Sequence, residues 1–181
     1  MIEPACLYEA GLKLKYQQKV ILNDTFKYWV GGPYVGDLSI KSETWDKFDL
    51  VSTHDDEILG YISFDIDRTS DIVSGVSIIN FHTEEKNIRK NIIFGKDVLF
   101  AIDQMFTKFN FRKMSFFVIV GNPIEKTYDK FISRYGGSIV GVRKQHTKLT
   151  DGKYYDEKMY EIFRDDYIAN KNKNKLGEND R

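Results

Sequence analysis

The residues best suited to chemistry lie close together, in the stretch FHTEEKNIRKNIIFGK over residues 81–96. His82 titrates near neutral pH, and Glu84 and Glu85 are carboxylates, so one short segment holds several acid–base candidates. Lys86, Arg89, Lys90 and Lys96 follow, where a helix is about to start. A helix N-terminus offers unpaired backbone N–H groups and the positive end of its dipole, so cations there suit a phosphate. An ordinary solvated basic turn explains the same residues, and both readings stand. HTEE invites a metal site, but no second ligand pair accompanies it. Asp65, Asp67 and Asp71 echo the start of a calcium loop; the glycine and distal glutamate are missing, which leaves a hairpin turn. Cys6, the single cysteine, excludes an internal disulfide, fits a reducing compartment and reads as a small hydrophobe rather than a nucleophile.

The elements that must position these groups run from Asn80 to Gly137. The spacing of Phe94, Val98, Leu99, Ile102, Met105 and Phe106 predicts a helix starting near Ile93, with Asp97 and Lys108 matching its dipole. FRKMSFFVIV is a continuous apolar run and predicts a strand buried on both faces. Asn122 is then expected to cap a second helix, with Pro123 in its first position and Glu125 completing a capping box. That helix buries Ile124, Tyr128, Phe131, Ile132 and Tyr135, and Gly136 ends it. Strand, crossover helix and strand form a right-handed βαβ unit with parallel strands.

Before this unit, FDLVST, ILGYISFDI and IVSGVSIINF read as three meandering antiparallel strands. Ile62, Phe64 and Ile66 form one apolar face, and Gly75 suggests a bulge or close backbone approach. After it, GSIVGVRKQ and KYYDEKMYEIF flank an Asp151-Gly152 turn and form a hairpin. Residues 1–41 are the least legible. KVILND suits a short strand, Ser42 and Glu43 suit a helix start, and Tyr28, Trp29 and Tyr34 sit in a glycine-rich stretch that either covers the core or contacts a ligand. Residues 1–168 are expected to form a single domain, and 169–181 a disordered polar tail.

The chain has 181 residues, 41% hydrophobic and 14% aromatic, enough for a packed core. Lys+Arg and Asp+Glu are both 27, and this neutrality argues against a general nucleic-acid binder. No apolar run is long enough to span a bilayer, and MIEPACLYEAG lacks the order of a signal peptide, so a cytoplasmic protein is expected.

The order of meander, helix, strand, helix and hairpin resembles the GNAT superfamily of acetyl-CoA-dependent N-acetyltransferases. It looks closest to the branch that modifies protein N-termini or small amines. The likeness runs from about Phe48 to Tyr167 and is carried by ILGYISF, the helix ending in Met105-Phe106, the strand through Val120, Asn122, Tyr128 and GGSIVGVRKQHTKLTDGKYYDEKMYEIF. It implies an α+β fold: a twisted mixed sheet of six to seven strands with helices on both faces. It further implies acetyl-CoA as co-substrate, held where two parallel strands diverge, with its pyrophosphate on the amides of the next helix. Phe81 and His82 would border that cleft. Lys90, Asn91, Ile92, Ile93, Phe94 and Gly95 would match the family's phosphate loop, with Lys96 beside them. Ile93 departs from the pattern, standing where the family has a glycine. Asn122 resembles the asparagine that contacts the cofactor arm, and Tyr128 the tyrosine that protonates the leaving thiolate. His82 and Glu84 are candidates to take the proton of the amine. The departure at Ile93 motivates an alternative, a GNAT-fold binding or structural module that has lost acetyl-CoA. Two copies are expected to pair, if at all, through the exposed end of the sheet.

Overall fold

A computed structural model describes residues 1–18, 28, 45–82, 87–149 and 151–179, with 175–179 by their backbone alone. The expected strand at 19–24, the helix start at Ser42, Trp29, Tyr34, Glu84, Glu85 and Lys86 lie outside the described residues. Seven strands form one sheet in the order β1-β2-β3-β4-β5-β7-β6. They are β1 (Ile2–Pro4), β2 (Lys47–His54), β3 (Glu57–Asp67), β4 (Ile72–Asn80), β5 (Lys113–Ile119), β6 (Ser138–Lys148) and β7 (Tyr154–Phe163). The helices are α1 (Glu9–Tyr16), α2 (Ile88–Thr107), α3 (Glu125–Tyr135) and α4 (Arg164–Asn179). No helix among the described residues is long and apolar enough to cross a membrane.

Turn chemistry explains the meander. Asp55 and Asp56 both sit at positive φ, 49° and 60°, where aspartate is among the better-tolerated residues, and they close the β2–β3 hairpin. Between β3 and β4, Asp67 Oδ1 accepts from the backbone N–H of Thr69 and Ser70 at 2.9 and 3.1 Å. This aspartate therefore serves the turn, as the hairpin reading expects, and no cluster able to hold a metal occurs among the described residues.

The sheet separates two apolar layers. Leu12 and Tyr16 of α1 pack on Val51, Ile58, Tyr61 and Ile79. On the opposite face Phe94, Met105 and Phe106 of α2, Ile132 of α3 and Tyr167 of α4 join Phe64, Met114, Phe116 and Tyr160. Each such buried side chain contributes about 1.5–3 kcal/mol. The apolar face of β3 over Ile62, Phe64 and Ile66 is as expected. Its polar face is buried at Tyr61 and Ser63, which each donate an O–H to Asp49 Oδ1 at 2.7 Å, and exposed at Asp65. Desolvation and Asp49 push the Tyr61 hydroxyl well above its ordinary pKa.

Four expectations need correction. First, α2 begins at Ile88 rather than near Ile93. Its first turns are tied to the sheet, by Asn80 Nδ2 donating to Asn91 Oδ1 at 2.9 Å and by Lys90 paired with Glu57. Residues 90–95 are thus helix, not loop. Second, β5 is not buried on both faces: Met114, Phe116 and Val118 are buried, but Phe117 is 43% exposed. Leu99 of α2 and Ile124 are likewise exposed. Third, α3 begins at Glu125, later than Asn122 and Pro123 suggest. Asn122 Oδ1 still accepts from the N–H of Ile124 at 3.1 Å, and Glu125 Oε2 reaches back to the N–H of Gly121 at 2.9 Å, so the pair closes a turn ahead of the helix. Gly136 ends α3 at φ 82°, as expected. Fourth, residues 169–179 are not a disordered tail but continue α4 to Asn179. Tyr167 is buried and stacks on Phe106 and Tyr135, and Lys171 pairs with Asp103 of α2. These anchors outweigh the polar composition that suggested disorder.

Candidate active site

β4 and β5 run parallel, as the βαβ reading predicts, but they pair only at Ile72↔Lys113 and Val73↔Met114. Beyond that point no ladder joins them, so β4 presents backbone donors and acceptors with no partner on β5. Parallel strands that part in this way leave a gap floored by polar backbone, a natural seat for an extended, amide-bearing ligand. The parting coincides with a bulge. β3 and β4 pair Asp65↔Gly75 and then Ile66↔Val73, which leaves Ser74 as an extra residue. A Cβ on Gly75 would stand 2.7 Å from Asp65 Oδ2, so the glycine is needed for close approach.

α3 packs on the β5–β7 side of the sheet. Tyr128 lies against Phe116 and Tyr160, with ring centroids at 5.1 and 6.1 Å in edge-to-face contact. Its hydroxyl makes no hydrogen bond among the described residues, and burial pushes its pKa up to about 12. It therefore stays protonated at neutral pH and is available as a donor. α3 is held in place by Lys158 of β7, which donates to Asp129 at 2.6 Å and to Glu125 at 3.2 Å. Tyr160 donates to the same Asp129 at 2.8 Å. Lys158 keeps the Asp129 carboxyl below its usual range.

On the β4 side of the gap are the end of that strand and the start of α2. Asn80 Oδ1 accepts from the N–H of His82 at 2.8 Å, which fixes the chain where it leaves the sheet. His82 Nε2 lies 3.2 Å from Glu57 Oε1 and 3.3 Å from the Ile58 carbonyl. Burial lowers the His82 pKa, and Glu57 opposes that shift. Glu57 itself is held below the usual carboxylate range, chiefly by Lys90, with Lys15 3.7 Å away. Phe81 is half-buried beside the α1 layer. Gly121, after the end of β5, lies near Tyr28: a Cβ there would stand 3.6 Å from the Tyr28 hydroxyl.

The structure thus brings His82 and Lys90 together on one carboxylate and ties Asn91 to Asn80. Asn122 lies past the end of β5, and Tyr128 lies on α3 against Phe116 of β5. Ile92 and Gly95 are exposed on α2, and a Cβ on Gly95 would meet nothing within 4 Å. Lys96 is exposed, Ile93 half-buried and Phe94 buried over Gly60. Glu57 and Asn80 were missed by sequence reasoning. Glu57 opens a strand after a turn, and only the long-range pairing of β3 with β4 carries it to His82; no local signal marks it.

An open β4–β5 pair inside a seven-stranded mixed sheet, with helices on both faces, is the GNAT fold. No protein-family model and no curated protein matches the sequence. Solved structures match it in shape. A chimera of the Vibrio cholerae spermidine N-acetyltransferase with hSSAT is 19% identical, with 69% of this chain and 74% of that one covered at a TM-score of 0.56. A structure assigned as an acetyltransferase is 13% identical and covers 94% and 86% at 0.65. The ribosomal-protein-S5-alanine acetyltransferase of Vibrio fischeri is 20% identical and covers 67% and 63% at 0.50.

Proposed function

We propose that the protein is an N-acetyltransferase that uses acetyl-CoA to acetylate a primary amine of a small molecule or protein. The observation that carries this reading is the gap itself: after Val73 the β4 backbone has no partner on β5. The Tyr128 hydroxyl, which makes no hydrogen bond among the described residues, is the donor this reading assigns to it. In this reading the β4 amides orient the pantetheine arm and the acyl carbonyl, and the amides at the start of α2 take the pyrophosphate with Arg89 near them. Lys96 and Gly95 lie farther along α2. Lys90 is committed to Glu57, so its part is to position the His82–Glu57 pair. His82 takes the proton of the incoming ammonium and Tyr128 donates to the departing thiolate, while Asn122 contacts the arm past β5. The amine attacks the thioester directly, and no covalent enzyme intermediate is needed.

Ile93 motivated the alternative of a module without acetyl-CoA. Its place inside α2, past the helix start, supports the transferase reading over that alternative. Calorimetric titration with acetyl-CoA, followed by thiol release in the presence of amines, tests the proposal. Binding and amine-dependent release are expected; absence of binding would refute it.

A further inference from the structure

Glu157 of β7 is a buried carboxylate whose two oxygens are unequally served. Thr147 donates its hydroxyl to Oε1. Oε2 accepts no hydrogen bond among the described residues: Arg143 Nη1 and His146 Nε2 stand at 3.7 and 3.8 Å. Both distances exceed hydrogen-bond reach. The Glu157 side chain is 5% exposed, whereas those of Arg143 and His146 are half-exposed. Leaving a buried acceptor unmet is unfavourable, more so when it is charged.

The backbone opposite is irregular. The β6–β7 register jumps from Arg143↔Glu157 to Thr147↔Tyr155. Within the jump Gln145 sits at φ 47°, a costly conformation for a side chain of its length. Asp156 holds the distortion, accepting from the N–H of Gln145 at 2.8 Å and from Lys144 Nζ at 2.9 Å. A strained backbone beside an under-served buried carboxylate marks a ligand site better than it explains packing.

Its position says which ligand. Lys158 and Tyr160 of β7 turn toward α3, where Asp129 accepts from both, so Glu157 faces the opposite side of the sheet, the side of α1. It pairs with Ile119, the last residue of β5, at the end where β4 and β5 have parted. It therefore lies one strand spacing, about 4.8 Å, beyond the strand that walls the gap. That is too far for the reacting amine and suited to a second charge on the same molecule. We infer that Glu157 Oε2 binds the second ammonium of a diamine acceptor, displacing Arg143, while the first amine lies in the gap. This rests on the transferase reading above.

The experiment compares 1,4-diaminobutane with butylamine in wild type, Glu157→Gln and Arg143→Ala. Wild type should favour the diamine in kcat/KM by about tenfold, the effect of roughly 1.4 kcal/mol. Glu157→Gln should erase that preference by losing the diamine alone, since butylamine never reaches Glu157. Arg143→Ala removes a competing cation and should lower KM for the diamine only. No preference in wild type, equal loss of both amines in Glu157→Gln, or a raised diamine KM in Arg143→Ala would overturn the assignment. Calorimetry of 1,4-diaminobutane without acetyl-CoA keeps the two proposals apart. Weaker binding by Glu157→Gln supports this site even if acetyl-CoA fails to bind. Equal binding by both proteins, with acetyl-CoA bound normally, overturns this site alone.

Discussion

The two edges of β5 are built for different purposes. On one edge β5 pairs with β7 along its whole length, from Lys113↔Phe163 to Ile119↔Glu157. On the other it meets β4 only at Lys113 and Met114. The closed edge carries the packing: Phe116 stacks on Tyr160 at 5.1 Å, and Lys113 donates to Glu161 at 2.7 Å. The open edge leaves backbone groups unpaired, at a cost that a folded chain bears only where a ligand or ordered water can meet them. The stable edge thus holds the strand rigid so that the other can stay open. The ring of Tyr128 rests on the closed-edge residues Phe116 and Tyr160, and its hydroxyl makes no hydrogen bond among the described residues.

The largest effect comes from breaking the closed edge. Tyr160→Ala removes a fully buried ring that touches Phe116 and Tyr128 and bonds Asp129. A loss of about 3–5 kcal/mol is expected in denaturant unfolding. Activity should fall as well, since Tyr128 loses its support. A loss below 1 kcal/mol would mean that the β5–β7 layer does not hold the site.

Tyr128→Phe sharpens the comparison. The hydroxyl has no hydrogen bond to lose among the described residues, so stability should change by less than about 0.5 kcal/mol. The rate should fall by about 100-fold in kcat, the lower range for general acid–base catalysis, with acetyl-CoA affinity unchanged. An unaltered kcat would assign Tyr128 to packing alone.

The open edge was legible in outline, as parallel strands that diverge, whereas the pairing of β5 with β7 was not read from the sequence. Alternation in ILGYISFDI, the Asp151-Gly152 turn and the apolar stripe to Phe106 are local patterns, and local patterns survive into the fold. The start of α2 was misplaced because no proline or glycine precedes Ile93 to mark a boundary, and the turns before it are secured by Glu57 and Asn80, distant in sequence. Glu157 was hidden for the same reason: a glutamate in a polar-alternating strand reads as a surface residue until β5 and β6 are laid beside it. α4 was missed because its helix depends on Tyr167 and Lys171 meeting α2 and α3 rather than on its composition.

Ile93→Gly probes whether the start of α2 belongs to the open edge as loop or as helix. Inside a helix the change costs about 1 kcal/mol, visible in a thermal melt. Acetyl-CoA affinity should be unchanged, because the substitution frees no backbone at the helix start. Tighter binding in the glycine variant would return residue 93 to the phosphate-contacting loop and revive the reading of a degenerate site.

The smallest effect tests His82 through pH. Burial lowers its folded-state pKa below the ordinary 6.5, so the folded protein holds it neutral where the unfolded chain already binds a proton. The more protonated state gains as pH falls, and here that is the unfolded one. Stability should therefore be level above about pH 7.5 and decline as pH falls through 6.5 toward the folded pKa. Glu57 works in the other direction on His82, which limits the decline. Glu57's own titration, lowered by Lys90, belongs to the range below its ordinary 4.5 and leaves this window clear. His82→Asn should flatten the slope of unfolding free energy between pH 7.5 and 5.5, and in the same variant the acid limb of kcat/KM should disappear. A slope equal to that of wild type would show that His82 is not buried at the mouth of the gap, and the base would then have to be sought elsewhere along β4.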